Sequence, residues 1–418
     1  MHKMKDMPYI IGIKMRIYPS NEQKDIIAVN DGAGRFVYNR LVARDRELFS
    51  LRRVKCFLKP VADRMDYLLS LGGKSSDLKA AYPFLEDKRI DAQTIANAVK
   101  NYHTAWSNFT KVPGTSMPAF HKKGYEKQYQ TNAHYPSGAS RISDGNVYLA
   151  DDRHIMLPKL GCVRFKGSRK IRRIFSRTCE TRIGTITVSM DACGAYYVSL
   201  QTGSVYPFHR KLRRTGHSIG IDVNIGNFCT DSDGVVTDNP KYRRSTKERL
   251  AKEQRRLSRM AARAREEKRP LSESRNYQKQ RLKVAKLHRH AAAQNEAFQH
   301  RLSRSMINNQ DRVFAEDLKV RNLMKNHRLA AAIADCSWDS FLRKLDYKAG
   351  FYGRVFMKVP PKNTTQMCSV CGHIMSGDRK LTLDVREWVC PQCGTRHLRD
   401  RNAAINIKNR GLGLLGIS

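Results

Sequence analysis

Four cysteines near the C-terminus constrain this chain more than any other feature. Cys368-Ser-Val-Cys371 and Cys390-Pro-Gln-Cys393 form two C-x2-C knuckles separated by eighteen residues, the ligand spacing of a four-cysteine zinc ribbon. Gly372 and Gly394 directly follow the knuckles, and glycine lets the backbone turn tightly beneath a metal. Four thiolates close a tetrahedral site, so zinc there is predicted to hold structure and do no chemistry. The other six cysteines, Cys56, Cys162, Cys179, Cys193, Cys229 and Cys336, follow no pattern, as in a reducing compartment.

The 418 residues suffice for two or three domains, and the formal net charge is +40. That much positive charge repels itself in a compact state unless a polyanion is the usual partner. Nucleic acid fits best, because phosphate neutralisation gives strong, sequence-independent affinity. A membrane surface fits worse: no run of eighteen apolar residues occurs, and the charge is not confined to one amphipathic helix. No long apolar stretch follows the first residues, which argues against secretion.

Ile11, Ile13, Met15 and Ile17 alternate with other residues, predicting a half-buried strand. Pro19 ends it, and Ser20 is placed to cap a helix entered through Asn21-Glu22-Gln23. The chain reads as helical to about Thr110. Arg35-Phe36-Val37-Tyr38-Asn39 lies inside one segment; Ile95, Val99, Tyr102, Trp106 and Phe109 recur near helical spacing in another. These aromatics serve as core or as stacking platforms for bases. After Pro113-Gly114 the pattern turns β-rich, with Val147-Tyr148-Leu149, Ile155-Met156-Leu157, Cys162 to Phe165 and Ala195 to Leu200. Arg164, Lys166, Arg169, Lys170, Arg172 and Arg173 crowd one part of it. A barrel gripping a nucleic-acid backbone accounts for them, as does a solvated basic face.

Ser218-Ile219-Gly220-Ile221-Asp222 reads as a short apolar strand with an acid at its end, and a hairpin follows. Asp231 and Asp233 read as turn formers. Tyr242 to about Asn309 predicts two basic helices divided near Pro270 and Ser272. Their excess of Arg and Lys over Glu departs from ordinary solvated helices, and Arg255, Arg256 and Arg259 are candidates for phosphate contact. Val313 to Leu318 is another strand, with Glu316 near its end. Phe341 to Tyr352 is an amphipathic helix, and Val355 to Val359 a last strand before the ribbon. Beyond the ribbon, Asp400 opens a helical stretch in which Ala403, Ala404 and Ile407 share a face. Taken alone, such an aspartate is a cap or a dipole partner.

Asp222, Glu316 and Asp400 each stand at the edge of a short α/β element, far apart in sequence. An RNase H-like fold gathers such positions from its first strand, a later strand and its final helix. Clustered carboxylates repel unless cations neutralise them, and hard oxygen ligands select magnesium. Two such ions about 3.5–4 Å apart assist phosphodiester hydrolysis.

The motifs extend over nearly the whole chain: Met15-Arg16-Ile17-Tyr18-Pro19, Arg35 to Asn39, Gly220-Ile221-Asp222-Val223, Glu316-Asp317-Leu318, Asn322-Leu323-Met324, Trp338, Tyr347-Lys348-Ala349, Tyr352-Gly353, the ribbon, and Asp400-Arg401-Asn402-Ala403-Ala404. Together they resemble the TnpB family of transposon-encoded RNA-guided nucleases, relatives of compact type V CRISPR effectors. The resemblance implies an α+β multidomain protein. Residues 1–19 would be the first strand of a β-barrel, 20–112 an inserted helical domain and 113–212 the rest of the barrel. Residues 213–361 would form a RuvC-type, RNase H-like domain with the basic hairpin at 242–309, interrupted by the zinc ribbon at 362–397 and completed by a helix at 398–418. It further implies catalytic acids at Asp222, Glu316 and Asp400 holding Mg2+, zinc on Cys368, Cys371, Cys390 and Cys393, and a guide RNA and target DNA as partners. The expected location is the cytoplasm of a prokaryote, at the nucleoid. Relatives often carry a glutamine-bearing helix where Gln93-Thr94-Ile95-Ala96-Asn97 stands. The polar residues differ here, so the resemblance does not specify the DNA motif read beside the target.

Overall fold

Ile11, Ile13, Met15 and Ile17 are buried along β1 (Tyr9–Tyr18), and the residues between them are exposed. The period-two pattern therefore sets the first strand in the computed structural model, which describes residues 3–54, 58–382 and 384–417; Cys56 lies outside the described residues. Contacts divide the chain into two units, Met1–Phe208 and His209–Ser418.

In the first unit, Ser20 and Gln23 form a capping box, Ser20 Oγ accepting from Gln23 N at 3.2 Å and Gln23 Oε1 from Ser20 N at 2.9 Å. The box starts α1 (Asn21–Leu51), followed by α2 (Lys59–Ser70), α3 (Ser75–Ala81) and α4 (Ala92–Lys111). Val37 and Leu41 of α1 pack with Ile95 and Tyr102 of α4. Trp106 is only half-buried and Phe109 is exposed.

Strands β2 (Lys127–Asn132), β3 (His154–Leu157), β4 (Gly161–Phe165), β5 (Thr181–Met190) and β6 (Tyr196–Ser204) join β1 in an antiparallel sheet of order β2-β5-β6-β1-β4-β3. No ladder joins β2 to β3 among the described residues, so the sheet is open where a barrel was expected. A helix covers the free edge of β2 instead: the Asp31 carboxylate of α1 accepts from Gln128 N at 3.0 Å. Val147-Tyr148-Leu149 is no strand. It makes one bridge, Leu149 to Ile155, before an aspartate turn at Asp151, whose Oδ1 accepts from Arg153 N, reverses the chain. The basic residues from Arg169 to Arg173 lie on a short helix, α5 (Arg169–Phe175), capped by Ser168, with Ile171 and Ile174 buried.

The second unit is built on β7 (Ser218–Val223), β8 (Asn227–Asp231), β9 (Val236–Asp238), β10 (Arg312–Glu316) and β11 (Val355–Val359), in the order β11-β10-β7-β8-β9. β7, β10 and β11 run parallel; β8 and β9 run antiparallel to their neighbours. Asp231 is the turn former expected, its Oδ1 accepting from Asp233 N and Val235 N.

The basic hairpin is α6 (Tyr242–Glu266) and α7 (Arg275–Asn309). A polar clamp joins the two helices: buried Glu253 accepts from Gln280 Nε2 and Lys283 Nζ, each at 2.6 Å. The far end of α7, at Met306 and Ile307, enters the core under the sheet. Helices α8 (Val320–Leu323), α9 (His327–Cys336) and α10 (Trp338–Tyr352) return the chain to β11. Then come the cysteine module with its hairpin β12 (Glu387–Val389) and β13 (Arg396–Leu398), and α11 (Arg399–Leu414), which packs across β7 and β10.

Alternation gives this sheet two faces. Ile219, Ile221, Val313 and Ala315 face the core that includes Phe341 and Leu345 of α10, whereas Phe314 packs with Ile407 of α11. Two glycines bring α11 down onto that second face. A Cβ at Gly220 would collide with the Ala404 carbonyl and lie 2.5 Å from Lys408 N; one at Gly411 would enter the Phe314 ring. Among the described residues no helix is long and apolar enough to cross a membrane.

Candidate active site and cysteine module

The register of β10 on β7 runs from Arg312 opposite Ser218 to Ala315 opposite Ile221. One further step sets Glu316, the last residue of β10, beside Asp222, on the face that receives α11. Asp400 stands in the first turn of α11. The three acids foreseen from sequence therefore gather at one end of the sheet, where parallel strands present their C-terminal ends and α/β folds place their ligands.

Burial and mutual repulsion dominate the electrostatics of the first two acids, and nearby arginines offset them only in part. Asp222 is buried, and its carboxyl is pushed well above the usual range, first by burial and then by the charges of Glu316 and Asp400, with Arg399 opposing. No hydrogen-bond donor among the described residues meets it. Burial likewise raises Glu316, against a hydrogen bond from the Thr364 hydroxyl and the charge of Arg410. Asp400 keeps 24% of its side chain exposed; Asn224 Nδ2 donates to it at 3.3 Å, and Arg386 Nη1 lies 3.7 Å away. Among the described residues only the four C-x2-C cysteines bring three or more ligand atoms within 4.8 Å of one another. The acids share one end of the sheet without closing to that distance, and the buried Asp222 carboxylate without an internal partner is the group a hard cation would satisfy. Sequence reasoning missed Thr364, Asn224 and Arg386. Of these only Asn224, two residues after Asp222, carried a signal in its position.

The four cysteine sulfurs lie within 4.8 Å of one another. Sulfurs at the corners of a tetrahedron 2.3 Å from zinc stand about 3.8 Å apart. The pairs Cys368–Cys393 and Cys371–Cys390 are separated by 3.7 and 3.6 Å, so the cluster fits a tetrahedral metal such as zinc. The knuckles repeat one geometry: Gly372 N donates to Cys368 O and Gly394 N to Cys390 O, both glycines at positive φ. Hydrogen bonds from the Thr395 hydroxyl and backbone pull the Cys393 thiol below its usual range. The buried His397 ring places Nε2 3.1 Å from Cys368 Sγ. The remaining described cysteines, Cys162, Cys179, Cys193, Cys229 and Cys336, form no disulfide among the described residues.

Arg255, Arg256 and Arg259 are exposed on α6, on a different element from the acids. Among the described residues only Arg256 of the three has an ion-pair partner, Glu253 at 3.9 Å. That pairing is loose, because Lys283 already holds Glu253 and draws its carboxyl below the usual range.

Family models match three segments. One described as "Cas12f1-like, TNB domain" covers residues 338–407, "Probable transposase" covers 198–327, and "Helix-turn-helix domain" covers 7–53. The last segment is here one strand and one long helix, β1 and α1. The chain is 31% identical over 402 residues to a candidate RNA-guided DNA endonuclease of Streptomyces pristinaespiralis, spanning 96% of this chain and 89% of the relative. It is 26% identical over 426 residues to the candidate RNA-guided DNA endonuclease InsQ of Escherichia coli K12, spanning 98% and 94%. A solved Cas12f1–sgRNA–target DNA complex shares the fold, with TM-score 0.53 and 12% identity over 96% of this chain and 99% of that one. By its identity to full-length relatives, the chain belongs to the TnpB family of candidate RNA-guided DNA endonucleases.

Proposed function

We propose that this protein is an RNA-guided DNA endonuclease that cleaves its target by metal-assisted phosphodiester hydrolysis in a RuvC-type site. The observation that carries the reading is the convergence of Asp222, Glu316 and Asp400 at one end of a sheet ordered β11-β10-β7-β8-β9. That order, with α11 across it, supports an RNase H-like domain over 213–361, interrupted by a zinc ribbon at 362–397 and completed at 398–418.

Asp222, Glu316 and Asp400 would hold magnesium, which when bound supplies an activated water and stabilises the leaving oxygen. Burial and the neighbouring acids raise the Asp222 carboxyl, and a bound cation would supply the charge that favours its ionised form. Thr364 holds Glu316 in place, and the partly exposed Asp400 completes the site on the side open to solvent. Cys368, Cys371, Cys390 and Cys393 would hold zinc and keep the module rigid. Base pairing with a guide RNA would supply sequence recognition, while basic surfaces including Arg255, Arg256 and Arg259 grip phosphates. The helices and six-stranded sheet of the first unit would bind the guide and read the DNA beside the target. Such a protein works in the cytoplasm, at the nucleoid.

The test is to purify the chain with its copurifying RNA, sequence that RNA, and present DNA matching it with Mg2+. Cleavage at the matched site, lost in Asp222→Ala while guide and target binding persist, is expected. Undiminished cleavage by that variant removes the site assignment; absence of any specific copurifying RNA removes the guided reading.

A further inference from the structure

Two asparagines one turn apart on α11, Asn402 and Asn406, are each 1% exposed. Asparagine is a poor helix former, and a buried amide is costly unless it is hydrogen-bonded. Both satisfy their amides on one stretch of chain, Thr364 to Ser369. Asn402 Oδ1 accepts from Ser369 N at 2.9 Å, and its Nδ2 donates to Met367 O at 2.7 Å. Asn406 Nδ2 donates to Met367 O at 2.6 Å and to Thr364 O at 2.8 Å.

That stretch has an active-site group at one end and a metal ligand at the other. Thr364 begins it and donates through its hydroxyl to Glu316. Cys368, flanked by Met367 and Ser369, carries the first knuckle. On the opposite side of the amides, Asp400 lies two residues before Asn402. The apolar face of α11 cannot do the same work. Ala403, Ala404 and Ile407 set the height of the helix above the sheet, but contacts among small apolar groups are non-directional and leave sliding along the axis unopposed. Four hydrogen bonds to three backbone groups, Thr364 O, Met367 O and Ser369 N, are directional and fix the register.

We propose that Asn402, Asn406 and Thr364 are positioning residues for cleavage: they tie the cysteine module to α11 and to β10, so that the folded module registers Asp400 against Glu316 and Asp222. The inference rests on reading those acids as the metal-holding site.

The test uses the full chain in complex with its guide RNA. Asn402→Ala, Asn406→Ala and Thr364→Val are compared with wild type, and Thr364→Ser serves as the variant that restores the hydroxyl. Zinc per chain, target binding, Mn2+ binding followed by electron paramagnetic resonance, and cleavage rate against Mg2+ concentration are measured. Zinc content and target binding are expected to match wild type. The half-saturating Mn2+ and Mg2+ concentrations should rise about 10–100-fold, the usual effect of removing an outer-shell partner, and Thr364→Ser should recover them. Unchanged Mn2+ binding in the three variants overturns the proposal. So does loss of zinc in step with loss of cleavage, which would make the asparagines mere folding contacts of the module. Where an asparagine variant does not fold, the Thr364→Val and Thr364→Ser pair decides. A wild-type complex that binds Mn2+ without cleaving guided targets sinks the nuclease reading, while the Mn2+ titrations still judge the tie.

Discussion

Substituting Gly220 by alanine tests whether the closeness of α11 to the sheet is what makes the site. The added Cβ would lie 2.5 Å from Lys408 N and would overlap the Ala404 carbonyl, both backbone atoms of α11. Neither can rotate away as a side chain could. Restoring ordinary contact at about 3.4 Å requires the helix to retreat by roughly 1 Å. Overpacking of this kind costs about 1–3 kcal/mol of stability. Displacing a reacting group by about 1 Å lowers rate by about 100-fold, or roughly 2.7 kcal/mol in the barrier. Single-turnover cleavage of a guided target by Gly220→Ala should therefore fall about 100-fold, with guide and target binding retained. Gly350 in α10 is the control, since a Cβ there meets nothing within 4 Å. Alanine in its place should leave cleavage intact and stabilise by about 0.5–1 kcal/mol. Wild-type cleavage by Gly220→Ala would refute the claim that the carboxylate geometry depends on this approach.

Asp222→Asn should abolish cleavage yet raise the Tm of the metal-free protein at neutral pH. A carboxyl raised in the fold contributes stability that is complete below its unfolded pKa, about 3.9, and is lost as pH rises through the folded value. Wild-type Tm without metal should thus decline over that interval and recover with Mg2+, and in Asp222→Asn both effects should shrink to what Glu316, also raised by burial, contributes in thermal scans. Cys368→Ser should lower metal content and Tm together, because binding there is coupled to local folding; metal analysis that finds no zinc in wild type contradicts the ribbon. Reversing Arg255, Arg256 and Arg259 to Glu should weaken binding of all sequences alike and flatten its salt dependence by about 0.7–0.9 log units per lost phosphate contact. An unchanged slope in a folded variant takes α6 off the binding surface.

What the sequence made legible is where side-chain chemistry conflicts with local structure. A carboxylate ending an apolar strand, as at Asp222, needs a reason that turn formation supplies for Asp231 but not for it. The cysteine spacing is legible because metal geometry fixes it. The rest depends on partners distant along the chain. Nothing near Gln128 announces that Asp31 of α1 covers the edge of β2, so a closed barrel was the natural expectation from strand pattern. Helix α5 escaped notice because Ile171 and Ile174, its only buried residues, are too few to set a period. Glu253 reads as one more charge on a basic helix, yet it is buried and clamps α6 to α7. Thr364 is joined to Glu316 across 48 residues and Asn402 to Met367 across 35, separations at which no local pattern survives.

On the proposed reading of the three acids, the placement of the cysteine module between β11 and α11 answers what Asp400 would require. Asp222 and Glu316 are fixed by neighbouring strands of one sheet, so the ladder itself sets their separation. Asp400 arrives on a helix that the ladder does not hold. Among the contacts that restrain it, three kinds act on different motions. Ala403, Ala404 and Ile407 bury the helix against the sheet, Gly220 and Gly411 allow it to approach, and the amides of Asn402 and Asn406 stop it from sliding. The last restraint is only as rigid as the stretch that receives it. A free loop there would exchange conformations and carry the helix with it, whereas zinc on the four cysteines would pin the stretch at Cys368. A metal that does no chemistry can in this way set the geometry in which chemistry is done.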